Sequence, residues 1–509
     1  MSKRPNILII SAEHHRADCL GICGKQIKTP NLNQLAHLGT RFDGCITPSV
    51  ASQPARASIL TGQLCRTHGV HDNGIDLEPG IGENGFAGVL ADSGYQTSLF
   101  GKAHFSSFSP RIPTGTPECL KSSARYPADW HGPYMGFEHV ELMLSATGTF
   151  SPSQPPQGQH YERFFHANKR AAEKLRLYSS NANAIQVADR CWHSKLPTAH
   201  HPTPWTADRA IDWLRHGRNK EQPFCSWVSF HDAHHPFDCP EPWSRLHNPK
   251  QVELPEHRTL HPQTLPWWYR SAITSEAESD QGAGSNLPKK AQLAEQSDQQ
   301  LREIIANAYG QLAFIDDQVG RLMNTLDELD IADNTHVFYL SNHGDWLGDH
   351  GLVFRGPMFF EGMLRVPMIW RGPDVPRNRV VYEPVSTVDL SPTLMQLTNS
   401  QAQLAQHGSS LAHLLDGKTK REYAMCEWEL LPGRINVPLS LRCVRTRTYK
   451  LTKDMNWGKG ELYDLLADPH ELNNLFDDPN TAEARQRLET YLMQRPRDFQ
   501  SSRVQVGAA

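Results

Sequence analysis

The sequence predicts an α/β protein: a large, mostly parallel sheet sandwiched by helices, followed by a smaller α+β C-terminal subdomain. Three observations carry that prediction. Short apolar runs recur at residues 5–11, 95–100, 224–230 and 335–341, uninterrupted by polar alternation, as strands covered on both faces read. Helical patterns lie between them, at 29–39, 205–216 and about 291–327, and strands alternating with helices build parallel sheets. After residue 400 the texture changes to shorter strand-like segments at 422–428, 441–444 and 447–452, then a terminal helix at 481–494. The expected organisation is therefore a main domain over 1–400 and a subdomain over 401–509.

Each element has a local reason. The first run, Pro5-Asn-Ile-Leu-Ile-Ile-Ser11, is apolar until its polar end, so a functional site is expected where it stops. The helix at 29–39 has Thr29 or an Asn to cap it and Gly39 to end it. Two segments, 106–159 and 255–286, are rich in small and polar residues and read as surface excursions beside the mouth of a site. Trp130, Tyr134, Trp267, Trp268 and Tyr269 lie in or beside them, either as an aromatic wall or as ordinary packing.

The chain has 509 residues, 38% of them hydrophobic and 21% charged, with a formal net charge of −4. That mix supports a sizeable core, and the lack of a dense basic patch argues against nucleic acid as a partner. The longest apolar run near the start, Ile7 to Ile10, is far short of a membrane span or secretion signal. A soluble, cytoplasmic protein with no membrane partner is expected. Ten cysteines without a CxxC pair read as small buried residues instead of a disulfide or zinc framework. The 26 histidines are more informative. They cluster as Glu13-His14-His15, His231-Asp232-Ala233-His234-His235, Asn342-His343 and Asp349-His350, the raw material of metal sites and proton transfer. In parallel sheets ligands bind beyond the carboxyl ends of strands. Glu13-His14 and Asn342-His343 each follow a predicted strand, so the two pairs are expected to converge.

At Ser52-Gln-Pro-Ala-Arg56, followed by Ala-Ser-Ile-Leu-Thr-Gly62, the chain resembles the sulfatase signature, (Cys or Ser)-x-Pro-x-Arg before a short helix. Four more blocks resemble that family in order. They are Gly94-Tyr-Gln-Thr-Ser-Leu-Phe-Gly-Lys-Ala-His104, Phe230-His-Asp-Ala-His-His-Pro-Phe237, the stretch Ser341-Asn-His-Gly-Asp-Trp-Leu-Gly-Asp-His-Gly351 running into Arg355-Gly-Pro, and Leu462-Tyr-Asp-Leu with Asp468-Pro-His-Glu. The resemblance spans nearly the whole chain and is nearest the arylsulfatase and phosphonate monoester hydrolase branch of the alkaline-phosphatase superfamily. It implies hydrolysis of a sulfate ester, phosphodiester or phosphonate monoester, a small-molecule anionic substrate. It also implies a divalent metal and conversion of the Cys or Ser to formylglycine by a maturation enzyme.

The resemblance places Ser52 as nucleophile, Arg56 as its orienting residue, and Lys102 and His104 on the ester oxygens. His234, with His231 or His235 as alternatives, would contact the substrate or protonate the leaving group, and Arg355 stands where the family carries Lys. Read alone, Ser52 is equally a helix N-cap, and whether it is oxidised or attacks directly stays open. The metal positions depart from the family pattern. Glu13, His14, Asn342 and His343 stand where Asp with Asp or Gln, and Asp with Asn or His, are usual. One carboxylate, one amide and two imidazoles suit Zn²⁺, Mn²⁺ or Fe²⁺ better than Ca²⁺, which wants oxygen ligands. The same residues also suit acid–base work without an ion. The competing expectations are a repurposed enzyme on this fold and a metal-free oxyanion-binding homologue. Oligomeric state is left open.

Overall fold

The computed structural model describes residues 4–144, 158–167, 171–178, 186–188, 190–258, 266–269, 296–353, 356–430, 438–500 and 505–508. Its main sheet has eight strands: β1 (Asn6–Ala12), β2 (Thr40–Phe42), β3 (Gln96–Gly101), β4 (His139–Leu142), β5 (Phe224–Ser229), β6 (Thr335–Ser341), β7 (Met368–Arg371) and β8 (Arg379–Val381). Their spatial order is β8-β2-β7-β6-β1-β5-β3-β4. Strands β6, β1, β5, β3 and β4 run parallel, with Ile10 opposite Tyr339 and Ile9 opposite Trp227. Only β7 runs antiparallel to its neighbours.

Strand β1 is buried along its whole length, and its side chains divide between two cores as the two-residue period of a strand requires. Leu8 and Ile10 pack with α1 (Pro30–His37), α4 (Pro202–Asp212) and α5 (Asp298–Glu328). Ile7 and Ile9 pack with α2 (Ser52–Thr61), α3 (Phe86–Asp92) and α6 (Leu390–Thr398). Each such side chain gains about 1.5–3 kcal/mol on burial, which is why the runs read so clearly as strands. The long helix α5 opens with a capping box in which Ser297 and Gln300 satisfy each other's backbone N–H groups. Its Asp316 accepts the N–H groups of Asn31 (3.1 Å) and Leu32 (2.7 Å). Asp316 therefore does for α1 what was expected of Thr29, whose side chain makes no cap bond.

The segment 106–159 is not wholly a surface excursion, because β4 within it extends the parallel sheet. Residues 145–157, 259–265 and 270–286 of the two expected excursions lie outside the described residues. Trp268 and Tyr269 are fully buried and Tyr134 nearly so, and all three are core packing instead of an exposed wall.

The C-terminal region forms an antiparallel meander of β9 (Ala424–Leu430), β10 (Leu439–Arg445), β11 (Tyr449–Asp454) and β12 (Gly460–Asp464). One face packs on α7 (Ala482–Met493) through Leu488 and Leu492. Trp428 and Tyr463 on the other face join Ile46, Val50 and Ala51, the residues that lead into Ser52. The meander thus backs the start of α2. No helix among the described residues is long and apolar enough to cross a membrane.

Candidate active site

Three adjacent parallel strands deliver the site. Beyond the end of β1 come Glu13 and His14, beyond β5 come His231 to His235, and beyond β6 come Asn342 to Asp345. Lys102 and His104 follow β3 on the next strand over. His14 and His104 both have φ of 55°, a left-handed conformation that costs a non-glycine residue about 1–3 kcal/mol and concentrates at functional sites.

Glu13 is fully buried and closed by three partners. Lys102 Nζ donates to Oε2 at 2.5 Å, while Arg56 Nε (3.2 Å) and Asn342 Nδ2 (3.1 Å) donate to Oε1. Burial opposes ionisation here, but Lys102 and Arg56 overcome it and hold the carboxyl well below the usual carboxylate range. Arg56 is itself anchored by Nη1 to the Lys102 carbonyl (2.8 Å) and to Ser229 Oγ (2.7 Å). Its Nη2 has no hydrogen-bond partner among the described residues. Two cations therefore meet on this one carboxylate.

Ser52 is the first residue of α2, not its N-cap, which is Ala51. The Gln53 N–H is met by Asn73 Oδ1 at 2.9 Å, so the serine hydroxyl is not spent on capping. Ser52 Oγ lies 2.9 Å from His343 Nε2, and His343 Nδ1 lies 2.8 Å from the Gly344 carbonyl oxygen. A carbonyl can only accept, so in the neutral ring Nδ1 carries the proton and Nε2 accepts the serine O–H. Gly344 is held in turn, its N–H donating to Met363 O at 2.8 Å. A side-chain carbon on Gly344 would stand 1.9 Å from the Gly362 carbonyl oxygen.

Around this pair the imidazoles crowd. The His14 ring centroid is 4.5 Å from those of both His343 and His234, and 5.6 Å from that of His235. His14 Nδ1 is 3.1 Å from Asp345 Oδ2. Burial, reinforced for His231 by Lys102 and for His234 by His235 and His14, holds both rings well below the usual histidine range. The His104 loop is held by Glu118, which accepts the N–H groups of His104, Phe105 (2.9 Å) and Ser106 (3.1 Å). Burial pushes Glu118 up to about 7.

The main-domain pattern of strands with Ser52, Arg56, Lys102 and His104 at one edge agrees with the comparison to known families: the sulfatase family model matches residues 5–400. The chain belongs to the sulfatase family. The C-terminal model of N-sulphoglucosamine sulphohydrolase also matches, over residues 348–498. The sulfatase chain is 28% identical over 507 residues to an arylsulfatase of Clostridium perfringens, covering 96% of this chain and 92% of that one. It is 26% identical over 506 residues to the uncharacterized sulfatase YidJ of Escherichia coli, covering 96% and 87%. The phosphonate monoester hydrolase of Agrobacterium radiobacter has the same fold, with a TM-score of 0.77 at 24% identity over 96% of this chain and 95% of that one. The sulfatase is accordingly a sulfuric ester hydrolase by family.

Of the residues expected to hold the divalent ion of this family, Glu13, His14, Asn342 and His343 do converge, but as a set they do not fit an ion. Both Glu13 oxygens are taken by cations and an amide. Asn342 turns Nδ2 toward Glu13 and points Oδ1 at the N–H groups of His343 (2.8 Å) and His14 (3.3 Å). His343 is engaged by Ser52 and Gly344. A different group in this sulfatase gathers donor atoms: one from each of His14, His235 and Asp345, all within 4.8 Å of one another and all on buried residues. Arg355 lies outside the described residues. The analysis of residue types alone passed over Asp345, Glu118 and Ser229. Asp345 sits two residues past His343 inside a block already singled out, and that spacing was its only signal.

Proposed function

We propose that this protein hydrolyses sulfate monoesters with Ser52 as the attacking group and His343 as its proton acceptor. The observation that carries the reading is the Ser52 Oγ to His343 Nε2 contact of 2.9 Å, with the far side of the ring tied to Gly344. A nucleophile on a base that is oriented by a third group is the arrangement that activates a hydroxyl. The start of α2 favours an anion through its N–H groups and dipole. Lys102 and Arg56, whose Nη2 has no hydrogen-bond partner among the described residues, supply positive charge for an anionic ester.

In this reading Ser52 Oγ attacks sulfur and its proton passes to His343 Nε2. The bond from sulfur to the ester oxygen breaks, and the alcohol leaves with the proton held by His343. Water then attacks the sulfur of the sulfated serine, giving a proton to His343. Ser52 Oγ leaves with that proton, and sulfate departs. Lys102 and His104 stand by the sulfate oxygens. A second reading keeps its support from the Ser52-Gln-Pro-Ala-Arg56 signature, in which Ser52 is first oxidised to formylglycine. The ten unpaired thiols support a reducing compartment.

The test is rapid mixing with an aryl sulfate and mass analysis of the peptide spanning 52–56. We expect a burst of phenol equal to the enzyme present, a sulfated Ser52 peptide, and an activity loss of about 10⁴-fold or more in Ser52→Ala. A Ser52 peptide lacking two hydrogens gives the formylglycine reading instead. Full turnover by Ser52→Ala rejects both.

A further inference from the structure

We propose that His14, His235 and Asp345 bind one divalent transition-metal ion, of the Zn²⁺ class, through a donor set that shares only His14 with the positions where the family pattern puts its ion. The three residues lie in the segments that follow three adjacent strands, β1, β5 and β6. All three residues are buried, at 3%, 7% and 1% exposure. Their donor atoms lie within 4.8 Å of one another. Around Zn²⁺, with bonds of about 2.0–2.1 Å, tetrahedral donors stand roughly 3.4 Å apart, so closure takes side-chain movements of about 1 Å. Asp345 is already oriented, one oxygen taking the Leu347 N–H at 3.0 Å and the other facing His14 Nδ1 at 3.1 Å.

The donor set decides the chemical class. Two imidazoles and one carboxylate suit Zn²⁺, Co²⁺, Mn²⁺ or Fe²⁺ and are poor for Ca²⁺. Three protein ligands leave a position for water or an ester oxygen, the pattern of catalytic and not structural ions. Glu13 is consumed in fixing Lys102 and Arg56, and of the four family positions only His14 keeps a metal-binding duty in this arrangement. The inference concerns binding and holds whichever way Ser52 reacts.

A second trio, His131, His139 and Glu141, also gathers donors. Its carboxylate is already paired with Arg209 at 2.7 Å and both histidines are half-exposed, so it serves as the internal control. The experiment strips the full-length protein with a chelator and titrates it with Zn²⁺ by calorimetry and with Co²⁺ by visible absorption, alongside His235→Ala, Asp345→Asn, Glu13→Gln and His139→Ala. We expect one equivalent bound and Co²⁺ ligand-field bands in the wild type. Affinity should fall by more than about 100-fold in His235→Ala and Asp345→Asn, beyond the 10–100-fold loss typical of residues behind the ligands. Glu13→Gln and His139→Ala should keep both signals. Thermal unfolding without metal checks that each variant folds, and Zn²⁺ should raise the melting temperature of the wild type but not of Asp345→Asn. The proposal is overturned if the wild type binds neither ion, if Glu13→Gln loses binding while His235→Ala keeps it, or if His139→Ala loses it.

Discussion

Two buried charge networks in this molecule use the same residue types toward different ends. At the junction with the C-terminal meander, Arg445 grips Glu361 through three contacts of 2.9 to 3.1 Å, and Lys450 bonds Glu471 and the Phe359 carbonyl. Burial opposes ionisation of Glu361, but Arg445 and Lys450 hold it down to about 2. Arg365 Nε also lies 3.7 Å from Glu361 Oε2, and burial raises Glu471 to about 8. At the strand ends, Lys102 and Arg56 both bond Glu13. Uncompensated buried charge is expensive, and cations gathered at the strand ends stand where a visiting anion meets them. The comparison separates charge that holds the fold together from charge that waits for substrate.

The largest test of that separation is Lys450→Met. It removes the cation bonded to the buried Glu471 and should lower stability by about 3–5 kcal/mol, read by urea unfolding, with the folded fraction still hydrolysing ester. Unchanged stability would remove the structural half of the comparison. Next comes pH, where neutral histidines outside both networks dominate. Burial lowers His201 to about 3 and His336 to about 4 from an ordinary 6.5. Between those limits the unfolded chain binds the extra protons. Stability should therefore fall as pH drops from about 6.5 toward 4, by about 1.4 kcal/mol per pH unit for each full proton taken up. A flat profile over that window in thermal melts would show that both rings are already charged when folded. The smallest effect is expected from Glu13→Gln, which adds one positive charge at the strand ends. Inhibition by inorganic sulfate should tighten about tenfold, a modest share of a close charge interaction. Equal inhibition would mean that the added charge does not face the anion.

The sheet was legible because its central strands are apolar on both faces, and Ser52, Arg56, Lys102 and His104 were legible because a motif holds them. Other features were not. Strands β2, β7 and β8, of three or four residues each, carry too short a pattern to read, and β4 hides in a segment rich in proline and serine. Glu118 acts on backbone N–H groups, which leave no trace in side-chain spacing. The capping of α1 comes from Asp316, far along the chain, so Thr29 looked sufficient. The four residues expected at the metal do come together, with Glu13 facing Lys102 and Arg56, Asn342 facing Glu13, and His343 facing Ser52. Residue type says nothing of which way an amide faces or which cations a carboxylate has already met.

The crossing of Gly344 over Gly362 sets a limit on how this enzyme can be varied. Position 344 admits glycine alone. Even a methyl group would push the 362–363 backbone away, and with it the Met363 carbonyl that keeps the Gly344 peptide turned toward His343. A one-carbon change would thus rotate the proton on the base without altering any residue that meets the substrate, and screens that randomise the whole strand end would discard such clones as unexplained failures.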